Sequence, residues 1–158
     1  MIQMKGSLGG RITLNQFITE VLPHRRPFLF VDEIIEQEYE KIVIGKKTIK
    51  EDEFWVEGHF PGNPVFPGVL ILETMAQVGG FLFFERKQQQ TAKRSTFSYL
   101  TRVDNLKLKR KVIVNDEIII IAKLISKEKH LAKVFVQAKV KDKKVAEAII
   151  GYAFLDVL

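Results

Sequence analysis

Leu14, Phe17, Ile18, Val21 and Leu22 return to one helical face and stop at Pro23, behind Thr13 and Gln16 at capping-box spacing. A short amphipathic helix is predicted there. Phe28 to Ile35 and Ile42 to Ile49 are rich in branched and aromatic residues and are separated by the polar Glu36 to Lys41, which predicts a strand pair. From Gly68 to Phe84 the chain is apolar on nearly every side, broken only by Glu73 and its helical neighbour Gln77. That run reads as a long buried helix. Glu85 to Arg94 is polar and glutamine-rich, a helix end running into a loop. The rest is strand-like: Thr96 to Leu108, Glu117 to Ile125, Leu131 to Val140 and Val145 to Leu155. In the third of these, Ala132, Val134, Val136, Ala138 and Val140 alternate with Lys133, Gln137 and Lys139, the signature of a sheet with one dry face.

Links as short as Lys141-Asp142-Lys143-Lys144 imply antiparallel hairpins, because parallel neighbours need long crossovers. The fold class is therefore α+β, an antiparallel sheet of about six strands wrapped around one long central helix. The β-branched run Ile118 to Ile121 is expected to leave a sheet edge that invites dimerisation. At 158 residues the chain fits one domain, read as residues 11 to 158. Met1 to Gly10 lacks the apolar core of a signal peptide and reads as a disordered lead-in.

The chain has no cysteine, so disulfides, thiolate metal sites and a thiol nucleophile are excluded, and a reducing cytoplasm suits it. Gly68 to Phe84 is about the minimum length for a membrane span but carries Glu73, Gln77 and several glycines, so no membrane insertion is expected. The net charge of +6 favours an acidic partner. Nucleic acid is disfavoured, because aromatics cluster in apolar runs such as Phe28-Leu29-Phe30 rather than between basic residues.

A carboxyl in so apolar a helix must be paired or protonated, which singles out Glu73. Gln77, four residues on, shares its face and can orient it by a hydrogen bond. Upstream, His59 lies in a loop stiffened by Pro61, Pro64 and Pro67. Pro67 suits the first position of a helix, leaving the amides of Gly68 and Val69 as free donors at its positive end. Histidine can act as a general base at physiological pH, and a carboxyl in an apolar wall tends to stay protonated and serve as an acid. Together they suit elimination or addition of water next to a carbonyl, with Gly68 and Val69 holding the enolate-like oxygen. Neither a metal nor a redox cofactor is called for. Plainer readings stand beside these: His59 as a structural turn residue, Glu73 as the partner of an arginine, His24 as a corner residue, His130 as part of a turn, and Lys107, Lys109, Arg110 and Lys111 as a solvated strand face.

Gly58-His59-Phe60-Pro61-Gly62-Asn63-Pro64, then Pro67-Gly68-Val69-Leu70 and Glu73-Thr74-Met75-Ala76-Gln77, resembles the signature of the FabZ-type (3R)-hydroxyacyl-[acyl carrier protein] dehydratases. Leu22 to Asp32 is similar to that family's opening segment, so the resemblance covers nearly everything after Gly10. It implies a hot-dog fold, a homodimer with one continuous sheet, and commonly a trimer of dimers. It also implies His59 of one subunit working with Glu73 of its neighbour to convert (3R)-hydroxyacyl chains on phosphopantetheine into trans-2-enoyl thioesters in fatty-acid elongation. Acyl carrier protein is the partner so implied, docking on Arg102, Lys107, Lys109, Arg110 and Lys111. An acyl tunnel is assigned to Phe66, Phe81, Phe83, Phe84 and Tyr99. Glu73, where the sister FabA-type dehydratase-isomerases carry Asp, implies dehydration without isomerisation. The competing readings are a hot-dog acyl-thioester hydrolase, with Glu73 activating water, and a noncatalytic acyl-carrier or lipid-binding module.

Overall fold

The computed structural model describes residues 14–85 and 96–156. Its elements run α1 (Leu14–Val21), β1 (Glu33–Glu38), β2 (Ile42–Thr48), α2 (Gly68–Gly80), a 3-10 turn (Phe81–Phe83), β3 (Thr96–Leu108), β4 (Glu117–Glu128), β5 (Leu131–Val140) and β6 (Lys143–Asp156). The six strands form one antiparallel sheet in the order β1-β2-β4-β5-β6-β3, curled around α2 as the hot-dog resemblance implies. The capping box begins at Thr13, and Glu85 to Arg94 extends past residue 85; those parts lie outside the described residues.

The alternation in β5 sends Ala132, Val134, Val136 and Ala138 inward, and Ile118, Ile120 and Ala122 of β4 do the same. Opposite them α2 buries Met75 and Val78 completely, as does the following turn with Phe81 and Leu82. Each such side chain contributes about 1.5 to 3 kcal/mol relative to exposure, so the sheet holds this 13-residue helix more firmly than its own propensity does. Close approach is built in at two glycines: a Cβ on Gly45 of β2 would press on Val78, and one on Gly79 would overlap the Tyr152 hydroxyl. That hydroxyl donates to the Ala76 carbonyl at 2.7 Å, tying β6 to the middle of α2. Among the described residues, no helix is long and apolar enough to cross a membrane.

Two expectations are corrected. The first strand begins at Glu33 rather than Phe28, because the backbone of Phe28 and Phe30 bonds the Gln77 side chain instead of a neighbouring strand. The run Ile118 to Ile121 is no edge: β4 is paired on both sides, by β2 and β5. The edges are β1 and β3, and it is β3 that exposes Tyr99, Leu100, Leu106 and Leu108.

Candidate active site

The loop between β2 and α2 folds on its own backbone. Phe60 and Asn63 exchange N–H···O bonds of 3.1 and 2.9 Å around Gly62, which takes φ 71°, a conformation that suits glycine. The His59 N–H donates to the Trp55 carbonyl at 2.9 Å, and the Val65 N–H donates to the His59 carbonyl at 2.8 Å. His59 is half-buried, its ring stacked on Phe60 with centroids 4.1 Å apart. Its Nδ1 lies 2.6 Å from the Val65 carbonyl oxygen. A carbonyl only accepts, so Nδ1 carries the hydrogen and, in the neutral ring, Nε2 keeps its lone pair.

At the start of α2 the amides of Leu70 and Ile71 both donate to the Pro67 carbonyl, at 2.9 and 3.0 Å, and no side chain caps the helix. The Gly68 and Val69 amides have no partner among the described residues, and Val69 is 72% exposed. Leu108 of the β3 edge lies over Gly68, where a Cβ would meet its Cδ1. The open carbonyl approach read from the sequence at Gly68 is therefore roofed by a half-exposed leucine.

About two and a half turns on from Gly68, Gln77 is locked on three sides. Its Oε1 accepts the Phe30 N–H at 2.9 Å, and its Nε2 donates to the Phe28 carbonyl at 2.8 Å and to Glu73 Oε1 at 2.9 Å. His24 Nε2 lies 3.4 Å from the same Glu73 oxygen, and His24 Nδ1 is buried with no partner. Burial pushes the Glu73 carboxyl up, but the hydrogen bonds from His24 and Gln77, with the charge of the His24 ring, outweigh it and hold the group below the usual carboxylate range. The sequence left open whether this carboxyl is paired or protonated; within the single chain it is paired and ionised, which corrects the expectation of a resting acid. A depressed carboxyl stabilises the fold above its unfolded pKa and loses that contribution as pH falls through its folded value. Replacing His24 by alanine is expected to move the Glu73 titration upward, followed by the pH dependence of its side-chain carboxyl carbon shift. An unmoved titration would show that His24 does not hold the charge.

His24, Glu73, Ala76, Gln77 and Tyr152 line a cavity of about 60 Å³ together with Phe97, Ser98 and Leu100 of β3. His59 does not line it, and no hydrogen bond or ion pair joins His59 to Glu73. The free helix-end amides, the histidine and the carboxylate are thus separate stations in one protomer.

A FabA-like domain matches residues 22–149, which span this whole arrangement. The chain is 39% identical over 133 residues to the 3-hydroxyacyl-[acyl-carrier-protein] dehydratase FabZ of Hydrogenobaculum sp. (strain Y04AAS1), covering 84% of this chain and 88% of that protein. The chain belongs to the FabZ branch of the FabA-like family. The enzyme of the same name from Lawsonia intracellularis (strain PHE/MN1-00) is 40% identical, with 87% and 90% of the two chains covered. Among solved structures, the dehydratase heterocomplex ApeI:P from Xenorhabdus doucetiae superposes with a TM-score of 0.75 over 88% of this chain and 91% of that one. At 15% identity that likeness speaks for the hot-dog fold alone.

The other positions that the FabZ resemblance singled out are scattered in the protomer. Phe66 is buried between Phe30 and Trp55, Phe81 packs on Phe17, Phe84 packs edge-on against Phe17, and Phe83 meets Tyr152 and Phe154 edge to face. Tyr99 stands 47% exposed on β3. Phe66 and Phe81 belong to the core, and none of the five lines the Glu73 cavity. Of the basic residues, Arg102 is paired with Asp104 at 2.7 Å, and Lys107 and Lys109 lie 3.7 and 3.1 Å from Glu147. Lys144 and Lys109 hold the Glu147 carboxyl down to about 2. Arg110 and Lys111 are exposed, with no ion pair among the described residues. Sequence reasoning missed His24 at the site; its place in Leu22 to Asp32, beside the aromatics that Gln77 holds, was the available signal.

Proposed function

We propose that this protein removes water from (3R)-hydroxyacyl chains carried on acyl carrier protein, giving trans-2-enoyl thioesters in fatty-acid elongation. The observation that carries the reading is the His59 tautomer: with Nδ1–H spent on Val65, the bare Nε2 is a ready base. Nε2 takes the proton from the carbon next to the thioester carbonyl. The Gly68 and Val69 amides stabilise the charge that builds on the carbonyl oxygen. Glu73 supplies a proton to the departing 3-hydroxyl, which leaves as water. One proton leaves carbon and one leaves the carboxyl, and exchange through solvent from His59 to Glu73 resets the pair.

The acid form of Glu73 requires drying of its surroundings, and a second subunit supplies it. The Glu73 cavity opens against β3, the edge strand with exposed Tyr99, Leu100, Leu106 and Leu108. A second copy pairing along β3 continues the sheet, covers the cavity and brings its own His59 to Glu73. The acyl chain then runs between subunits, and dimers of this kind assemble further in threes. Arg110 and Lys111, without carboxylate partners among the described residues, receive the acidic carrier at the mouth, with Lys107, Lys109 and Arg102 behind them. The phosphopantetheine arm arrives with the substrate, and the reaction proceeds in the cytoplasm.

The ionised state of Glu73 in the single chain favours one second reading, hydrolysis of the thioester by a water that the carboxylate activates. Incubation with a crotonyl or 3-hydroxyacyl thioester separates the two by following enoyl absorbance alongside free thiol. Absorbance change without thiol is the expected result, and thiol release identifies the hydrolase. Binding with neither signal identifies a noncatalytic acyl-carrier module.

A further inference from the structure

Lys47 is the only buried charged side chain among the described residues, 4% exposed near the end of β2. Its Nζ donates to Glu53 Oε1 at 3.0 Å and lies 5.3 and 5.6 Å from the ring centres of Phe30 and Phe66. A buried ion pair is poor value as a stabiliser, since apolar residues of the same volume commonly do as well. What the pair does offer is direction. Glu53 Oε1 also accepts the Lys50 N–H at 2.9 Å, and Oε2 accepts the Trp55 indole N–H at 3.0 Å. One carboxylate thus binds a strand side chain, a loop amide and a loop indole. The Trp55 carbonyl then takes the His59 N–H at 2.9 Å and the Gly58 N–H at 3.2 Å.

On the other side, Phe30 lies beneath the same ammonium, and its N–H donates to Gln77, which donates to Glu73. The path from Lys47 therefore runs both ways, through Glu53 and Trp55 to the histidine and through Phe30 and Gln77 to the carboxylate. We propose that Lys47 and Glu53 are positioning residues that fix the His59 loop on β2, so that the ring keeps its Nδ1–H on Val65 and its Nε2 bare. The catalytic consequence rests on the reading of His59 as the base. The geometric consequence stands apart from it.

The test replaces the pair by a volume-matched apolar one, Lys47→Met with Glu53→Met, and separately makes Lys47→Arg, which keeps the charge. Thermal unfolding and far-UV circular dichroism monitor the fold. Nitrogen shifts of the His59 ring report its tautomer, and initial rates report kcat and KM. In the double variant, folded like the parent, the ring is expected to lose its single Nδ1–H tautomer and kcat to fall by about a hundredfold, with KM little changed. Lys47→Arg keeps the parent's tautomer and most of its kcat. A folded double variant with the parent's tautomer overturns the proposal, whatever the protein catalyses. If the double variant does not fold, Lys47→Arg and Glu53→Gln are compared by the same ring shifts, and identical shifts overturn it. A parent with a single Nδ1–H tautomer but no dehydratase activity would leave the positioning intact and count against the function instead.

Discussion

His59→Ala should leave a folded protein whose dehydration of a 3-hydroxyacyl thioester is slower by about a hundredfold to ten-thousandfold, the range for loss of one general base. The ring is half-buried and lies outside the hydrophobic core, so its removal opens no large cavity. Its neighbours are held by other means: Val65 N–H on the His59 carbonyl and the reciprocal bonds of Phe60 and Asn63 survive, because they are backbone to backbone. Stability should therefore change little while the chemistry fails. Initial rates by enoyl absorbance, with unfolding temperature measured on the same samples, separate the two. An alanine variant at full rate would remove His59 from the mechanism, and with it the meaning of the Val65 contact.

The elements with a single strong period were legible in the sequence. The amphipathic stretch before Pro23 and the alternation of Leu131 to Val140 became the elements they predicted, and the apolar run from Gly68 did so as far as Gly80, beyond which Phe81–Phe83 tighten into a 3-10 turn and Phe84 is extended. Misreading set in where a segment's partner is remote in sequence. Phe28 to Val31 has strand composition, but its hydrogen bonds go to a glutamine side chain on α2, and no local pattern announces that. The branched composition of Ile118 to Ile121 says strand without saying which neighbours it has; long-range pairing puts β2 and β5 on its two sides, so the expected edge is not there. Glu73 was visible as an anomaly, and the sequence rightly demanded that it be paired or protonated. The partner came from another element: His24 sits on the turn after α1, and only the packing of that turn against α2 brings the ring to the carboxylate. In the same way Lys47, an unremarkable basic residue near the end of a strand, shows its burial only once the His59 loop folds over it.

The separation of His59 from the Glu73 cavity within one protomer gives the second large effect. Take two inactive proteins, His59→Ala and Glu73→Ala, and let their subunits exchange. If each site takes its histidine from one subunit and its carboxyl from the other, a mixed dimer holds one site with both groups missing and one with both present. Random pairing makes about half the dimers mixed, so roughly a quarter of the original sites return from a starting level near zero. A site contained in one chain predicts no recovery at any ratio, because neither chain ever regains its missing group. The exposed β3 edge carries the physical argument for the first outcome: Leu100 lines the Glu73 cavity while standing 43% exposed, and Leu108 lies against Gly68, where a side chain would otherwise stand, while remaining 51% exposed. A second strand laid along β3 buries both leucines and closes both stations at once. Subunit exchange is verified by differently tagged parents that copurify, and activity is read before and after mixing. Copurification without any return of turnover would place the histidine and the carboxyl of each site on the same chain and require α2 and its preceding loop to close on each other instead.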